Sequence, residues 1–236
     1  MLKASKPLIA NGLTKTYGSL RVLDIEELSL PKGALVALIG PNGSGKSTLL
    51  RLLAGTLAPD AGQILYSEPL SGEDIAYMPQ KTYAFRFSVL KNVLLALEGI
   101  DKPEAQHRAQ EALSQVGLTE LAQRRRANTL SGGETQRMAF ARMIVRQRKL
   151  LLLDEPTSAT DIVGNDLVEA ALKRFAAQSG CTVLFSTHSP AQAMRLADRV
   201  IALHEGHIAE QGPARELLST PQNADVALFL QHWRLG

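Results

Sequence analysis

At 236 residues and 45% hydrophobic content, the chain has material for one sizeable domain with a real core, or a core with a subdomain. A formal net charge of +3, with acids and bases mixed along the sequence, is too mild to argue for a nucleic-acid partner. The single cysteine, Cys181, excludes an intrachain disulfide and a cysteine-based zinc cluster, and no apolar run approaches the ~20 residues that span a bilayer.

Residues 8–30 carry short β-like runs, with turn signals at Tyr17-Gly18-Ser19 and Pro31-Lys32-Gly33. The opening MLKASKPLIANG lacks the apolar centre of a signal peptide, so a soluble protein in a reducing compartment is expected, meeting a membrane only through a partner. ALVALIG (34–40) reads as a strand buried on both faces, and KSTLLRLLAG as a helix closed by Gly55. A further β-like stretch runs through GQILY and DIAYMPQ. Residues 88–125 have helical spacing with stops at Gly99 and Gly117, which predicts a helical insert. Its Arg124-Arg125-Arg126 run is either a phosphate-binding patch or an exposed loop or helix end. A helix is predicted through RMAFARMIVRQR, strands at KLLLLDE and CTVLFSTH, a hairpin turning at Glu205-Gly206, and a short helix at PARELLST. This strand–helix alternation predicts a mostly parallel α/β core.

Two motifs carry chemistry. GPNGSGKST, Gly40, Pro41, Asn42, Gly43, Ser44, Gly45, Lys46, Ser47 and Thr48, contains G-x-x-x-x-G-K-[ST] between a predicted strand and a predicted helix. The glycines let backbone N–H groups and a helix N-terminus surround phosphates. Lys46 supplies charge to the β- and γ-phosphates, and the Ser47 hydroxyl is suited to Mg²⁺. LLLLDE (150–155) delivers Asp154 and Glu155 at a strand's C-terminal end, where open α/β sheets place ligands. Asp154 is expected to hold the metal, and Glu155 to polarise water as a general base.

TLSGGETQR (129–137) turns from loop to helix. Ser131 and Glu134 have capping-box spacing. Gly132 and Gly133 in the first turn cost about 1 kcal/mol each relative to alanine, which points to an anion meeting bare N–H groups there. Gln80, His188 and Tyr17 are unremarkable alone and gain weight from their order around these motifs. Tyr83, Phe85 and Phe87 either pack the insert onto the core or form an exposed apolar groove.

Together these residues resemble the nucleotide-binding subunit of an ATP-binding cassette (ABC) transporter, from Tyr17 to about Gly212. The resemblance implies an α/β P-loop NTPase core with a mostly parallel sheet, an N-terminal antiparallel β subdomain and a helical insert. It divides a single domain into a core (1–80 and 145–212), a helical subdomain (81–144) with the signature, and a short tail (213–236) judged too small for a regulatory domain. Its aromatic end, LFLQHWRLG, is left to pack on the core or touch a partner. By the same resemblance, Tyr17 stacks on adenine, Gln80 joins the metal site to the membrane partner, and His188 contacts the γ-phosphate. LSGGE, with Ser131, Gly132, Gly133 and Glu134, meets the triphosphate of a second subunit. SATD, with Asp161, crosses between subunits; Thr160 stands where the family usually has leucine.

The implied activity is Mg²⁺-dependent ATP hydrolysis. Binding closes a head-to-tail dimer and hydrolysis reopens it, powering solute import of the bacterial kind. The implied partners are a second copy, transmembrane permease subunits and a solute-binding protein, with no nucleic acid, at the cytoplasmic face of the inner membrane. The competing class is a soluble cassette ATPase acting on nucleic acid or ribosomes.

Overall fold

The computed structural model describes residues 8–66, 70–123 and 126–234. Arg124 and Arg125 of the basic run lie outside the described residues, as do Met1 to Pro7 of the opening stretch and the closing Leu235 and Gly236. In chain order the strands and helices are β1 (Leu8–Tyr17), β2 (Leu20–Leu30), β3 (Leu35–Ile39), α1 (Lys46–Leu53), β4 (Ala61–Tyr66), β5 (Ile75–Met78), α2 (Val89–Leu94), α3 (Lys102–Gln115), α4 (Gly132–Ile144), β6 (Leu150–Leu153), α5 (Ile162–Ser179), β7 (Thr182–Ser186), α6 (Pro190–Leu196), β8 (Arg199–His204), β9 (His207–Pro213), α7 (Ala214–Ser219) and α8 (Ala224–Arg234). They group into two compact units, one of Met1–Tyr77, Lys149–Asp154 and Gly180–Gly236, the other of Met78–Arg148 and Glu155–Ser179.

The first unit holds the sheets. β1 pairs antiparallel with β2 and β4 in the order β2-β1-β4. The second sheet runs β5-β6-β7-β3-β8-β9, parallel from β6 through β7 and β3 to β8, and antiparallel at the β8–β9 hairpin. This is the mostly parallel α/β core that the alternation predicts, with the antiparallel N-terminal part that the resemblance to a P-loop NTPase implies. The β-like stretch through GQILY and DIAYMPQ is two strands in different sheets, β4 and β5. Every residue of β3, β6 and β7 is buried; β3 and β6 are continuous apolar runs, and β7 is apolar between Thr182 and Ser186. Fully burying one such aliphatic side chain stabilises by roughly 1.5–3 kcal/mol. α1 covers this core with Leu49, Leu50, Leu52 and Leu53.

The second unit contains α2 to α5. α3 buries Ala105, Ala109, Ala112 and Leu113, the i, i+4, i+7, i+8 stripe of an amphipathic helix, and packs on α2 and α4. Ser88 caps α2 by accepting the Lys91 N–H at 3.1 Å. α2 then tightens into a 3₁₀ turn at Leu95–Leu97 before Gly99, at φ +86°, ends it. Among the described residues, no helix is long and apolar enough to cross a membrane.

Candidate functional site

The phosphate motif lies where β3 passes into α1, and its shape is enforced from behind. A Cβ on Gly40 would collide with the Leu203 carbonyl oxygen, and one on Gly45 would lie 2.8 Å from both the Val22 oxygen and Leu23 Cδ2. Both glycines also have positive φ, at +147° and +101°. The β8–β9 turn reinforces the loop: Gly206 N–H donates to the Ser44 carbonyl at 3.1 Å, and the Asp24 N–H donates to the Gly206 carbonyl at 2.9 Å. Lys46 Nζ reaches back into the curve and donates to the Gly40 and Pro41 carbonyls, both at 2.8 Å. Ser44 is buried, and its Oγ has no hydrogen-bond partner among the described residues. A buried hydroxyl left unpaired costs about 1–3 kcal/mol, so a loop that keeps one suits a ligand rich in acceptors.

Asp154 lies in the same unit, buried at the end of β6, where Ser186 Oγ donates to its Oδ1 at 2.7 Å. Tyr77 is close enough for that carboxylate to act on it. Burial first, and then the Asp154 charge, push its phenol up to about 12. Ser47 is exposed at the start of α1. Its hydroxyl and the Asp154 carboxylate are hard oxygen donors, the class Mg²⁺ takes. No cluster of three or more His, Cys, Asp or Glu that could hold a metal occurs among the described residues. That donor set fits an ion that uses one or two protein oxygens together with substrate phosphates and water.

His188 follows β7 in a short link. There Thr187 Oγ1 accepts the Ser189 N–H at 3.0 Å, and Ser189 caps α6 by accepting the Gln192 N–H at 3.2 Å. Tyr17 ends β1 with its ring 46% exposed and the Lys15 ammonium 5.9 Å from its centroid. Asp60 holds this strand end through Lys15 Nζ and the Thr16 N–H, both at 2.6 Å, and these contacts, the lysine's first, hold its carboxyl below the ordinary value.

In the second unit, Gln80 Nε2 donates to Glu155 Oε2 at 2.8 Å, joining two residues far apart in sequence. The amide turns its N–H to the carboxylate, which leaves its carbonyl oxygen as the end a cation would take. Glu155 itself has φ +49°, the left-handed region that non-glycine residues rarely occupy.

The signature forms the capping box its spacing predicts: Ser131 Oγ accepts the Glu134 N–H at 3.2 Å, and Glu134 Oε2 accepts the Ser131 N–H at 2.7 Å. The two glycines separate. A Cβ on Gly133 would lie 2.9 Å from the Ala159 oxygen, so packing explains that glycine. On Gly132 it would meet only Ala159 Cβ at 4.0 Å, an ordinary contact, and Gly132 is exposed beside exposed Ser131. Asp161 caps α5, its Oδ1 accepting the Gly164 N–H at 2.8 Å. Thr160 turns its hydroxyl inward to the Thr157 carbonyl at 2.9 Å and to Asn165 Oδ1.

The three aromatics after Gln80 are exposed, Tyr83 by 64%, Phe85 by 54% and Phe87 by 40%, which favours the groove over core packing. Their backbone is nonetheless held. Buried Asn92 accepts the Phe85 N–H at 2.8 Å and donates to the Phe85 and Ser88 carbonyls, while Arg142 donates to the Tyr83 carbonyl at 2.8 Å. The Arg142 guanidinium lies 5.7 Å from the Phe85 centroid, and burial lowers its pKa from the ordinary value.

Sequence reasoning missed Tyr77, Ser186 and Gly206, and no local pattern marks them. Each acts across a fold contact, although Glu205-Gly206 was legible as a turn.

Residues 23–158 match the ABC transporter family. The chain is 36% identical over 236 residues to a protein of Rhizobium meliloti named Fe(3+) ions import ATP-binding protein FbpC 1, covering 94% of this chain and 65% of that one. It is 36% identical over 240 residues to the spermidine/putrescine import ATP-binding protein PotA of Pasteurella multocida, covering 96% and 64%. The chain therefore spans just under two thirds of the length of these relatives. Its fold is similar to the dimeric post-hydrolysis structure of the ATP-binding cassette MJ0796 bound to ADP and Pi, with TM-score 0.79, 27% identity, and coverage of 88% of this chain and 99% of that one.

Proposed function

The chain belongs to the ABC transporter family, and we propose that it is the ATP-hydrolysing subunit of an importer. Both curated relatives are named import ATP-binding proteins, with different solutes, so import is the part carried over and the solute is not.

In this reading Tyr17 stacks on adenine, and the backbone from Gly40 to Thr48 encloses the triphosphate. Lys46 exchanges two neutral carbonyls for charged phosphate oxygens, a stronger class of hydrogen bond. Ser47, Asp154 and Gln80 hold Mg²⁺, which when bound neutralises phosphate charge. Ser186 keeps the Asp154 carboxylate in one orientation. Glu155 takes the proton of the attacking water and His188 fixes the γ-phosphate. Phosphoryl transfer needs positioning and charge neutralisation more than covalent chemistry, and these side chains supply both.

The exposed Ser131–Gly132 end of α4 is the complementary surface. Ser131, Gly132 and Gly133 meet the triphosphate held by a second copy, with Glu134 setting the cap and Asp161 on the loop that crosses between copies. ATP binding closes this head-to-tail pair and hydrolysis reopens it. MJ0796, a dimer in its post-hydrolysis structure, supports the pairing of two copies. Tyr83, Phe85 and Phe87 receive a helix of the permease subunits at the cytoplasmic face of the membrane, and a solute-binding protein delivers cargo on the other side.

The observation that carries the proposal is the Gln80–Glu155 hydrogen bond, which holds the candidate base at its carboxylate. It is tested with Glu155→Gln, by phosphate release and by size in saturating Mg-ATP. The expected variant binds ATP, becomes dimeric and loses about 10²–10³ in turnover. Wild-type turnover would remove the assignment of the base, and a monomer under saturation would remove the shared site.

A further inference from the structure

We propose that Gln136 is a positioning residue for Glu155, holding its backbone from within the signature helix; this rests on the reading of Glu155 as the base.

Gln136 lies in α4, five residues beyond the cap Ser131, and is 1% exposed. All its described side-chain hydrogen bonds run to one short segment. Nε2 donates to the Glu155 carbonyl at 2.8 Å and to Ser158 Oγ at 3.2 Å, and Oε1 accepts the Ala159 N–H at 2.8 Å. One buried amide thus fastens both ends of the 155–159 loop to the helix. The same helix is packed against that loop at Gly133, where the Ala159 oxygen leaves no room for a Cβ.

The fastening matters because Glu155 occupies a costly conformation. A non-glycine residue held in the left-handed region costs on the order of 1–3 kcal/mol and persists only where its surroundings over-determine it. At Glu155 the surroundings are identifiable. Its carbonyl accepts from Gln136 Nε2, from the Ser158 N–H at 3.2 Å and from Ser158 Oγ at 3.2 Å, while Gln80 holds its carboxylate. Because Pro156 fixes its own φ, a change at the Glu155 carbonyl cannot be absorbed by a simple peptide flip and shifts the backbone that carries the carboxylate. Removing the strongest restraint on that carbonyl therefore loosens the aim of the base.

A second consequence follows. Ser131 is assigned to the partner's triphosphate and Glu155 to this chain's own, yet Ser131 caps α4 and Glu155 is bonded to it through Gln136 within one unit. Gln136 makes the signature helix and the base move together, so engagement at one site is felt at the other.

Two variants of the full chain test this, assayed well below their melting temperatures. Gln136→Glu keeps an acceptor for the Ala159 N–H and removes the donors to Glu155. Gln136→Met removes all three bonds at similar volume. The expected result for both is a fall in kcat of about 10²-fold, the scale of a small misplacement of a catalytic group, with KM for ATP and ATP affinity little changed. A kcat near wild type in Gln136→Glu overturns the proposal. So does a loss of ATP affinity in proportion to the loss of kcat, which would mark a merely structural role. If Gln136→Met fails to fold, Gln136→Glu decides. Glu155→Gln separates the two readings: if it keeps wild-type turnover, the base assignment fails, whereas an inactive Glu155→Gln beside an active Gln136→Glu removes only the role of Gln136.

Discussion

The phosphate loop and the signature turn both place glycines at a helix N-terminus, but their glycines answer to different constraints. Gly40 and Gly45 have positive φ and are walled by Leu203, Val22 and Leu23 of their own unit. Gly132 has ordinary helical backbone, stands exposed, and has only a Cβ at 4.0 Å beside it. The loop contains a buried hydroxyl without a partner and a lysine drawn into its curve. The signature end is self-sufficient, its cap closed by Ser131 and Glu134. One region is a loop braced by its own unit; the other is a closed cap whose extra glycine meets no close neighbour among the described residues. In the proposed function, that glycine meets the phosphates held by a second copy.

Substitutions should divide along that line. The largest effect is expected from Lys46→Ala, which removes the loop's mobile charge. Both ATP affinity and turnover should fall, turnover by about 10²–10³, in a nucleotide-binding titration run beside a phosphate-release assay. Retained affinity would undo the picture of a loop-centred pocket. Ser131→Ala should lower turnover by about 10² while leaving the affinity of a single copy for ATP as it was, because its target is the partner's nucleotide. The lost cap should also destabilise the fold by about 1 kcal/mol, visible as a lower urea midpoint. Equal damage to single-copy affinity would merge the two regions and defeat the comparison.

Gly206→Ala is a subtler probe of the loop's backing. Its added Cβ would lie 2.7 Å from the Val22 oxygen at a φ of +83°. ATP affinity should drop about tenfold, or about 1.4 kcal/mol, although this residue is assigned no contact with nucleotide. Isothermal titration at fixed Mg²⁺ would read the drop, and unchanged affinity would mean the hairpin turn does not brace the loop. The smallest effect belongs to Ser44→Ala. Without ligand the variant should melt about 2–4 °C higher, since an unpaired buried hydroxyl is removed. Saturating Mg-ATP should erase that gain if the hydroxyl finds a phosphate acceptor, and a gain that persists would take Ser44 out of the pocket.

Much of the fold was legible because its signals are local. The buried run of β3, the helical spacing of α1 and the glycines between them are consecutive, so the phosphate motif could be read with its context. Elsewhere a local signal was present and passed over. Ser189 followed by Pro190 is a cap with proline at the first helical position, and it starts α6. Asn223 accepts the Asp225 and Val226 N–H groups, at 2.9 and 3.2 Å, at the start of α8. The run through GQILY and DIAYMPQ was legible as β, as β4 and β5 are, but β propensity does not say which sheet a strand joins.

By itself the sequence determined where the glycine-rich loop and the acidic strand end lie along the chain, because motif spacing is set by strands and helices a few residues long. It also determined the capping box at Ser131, which needs only one helical turn. Only the tertiary structure decided that Gln80 takes the Glu155 carboxylate across 75 positions, that Gln136 takes its carbonyl across 19, and that a hairpin glycine supports Ser44. These are contacts between segments that meet only after the chain has buried its core, and nothing in the spacing of either segment encodes the other.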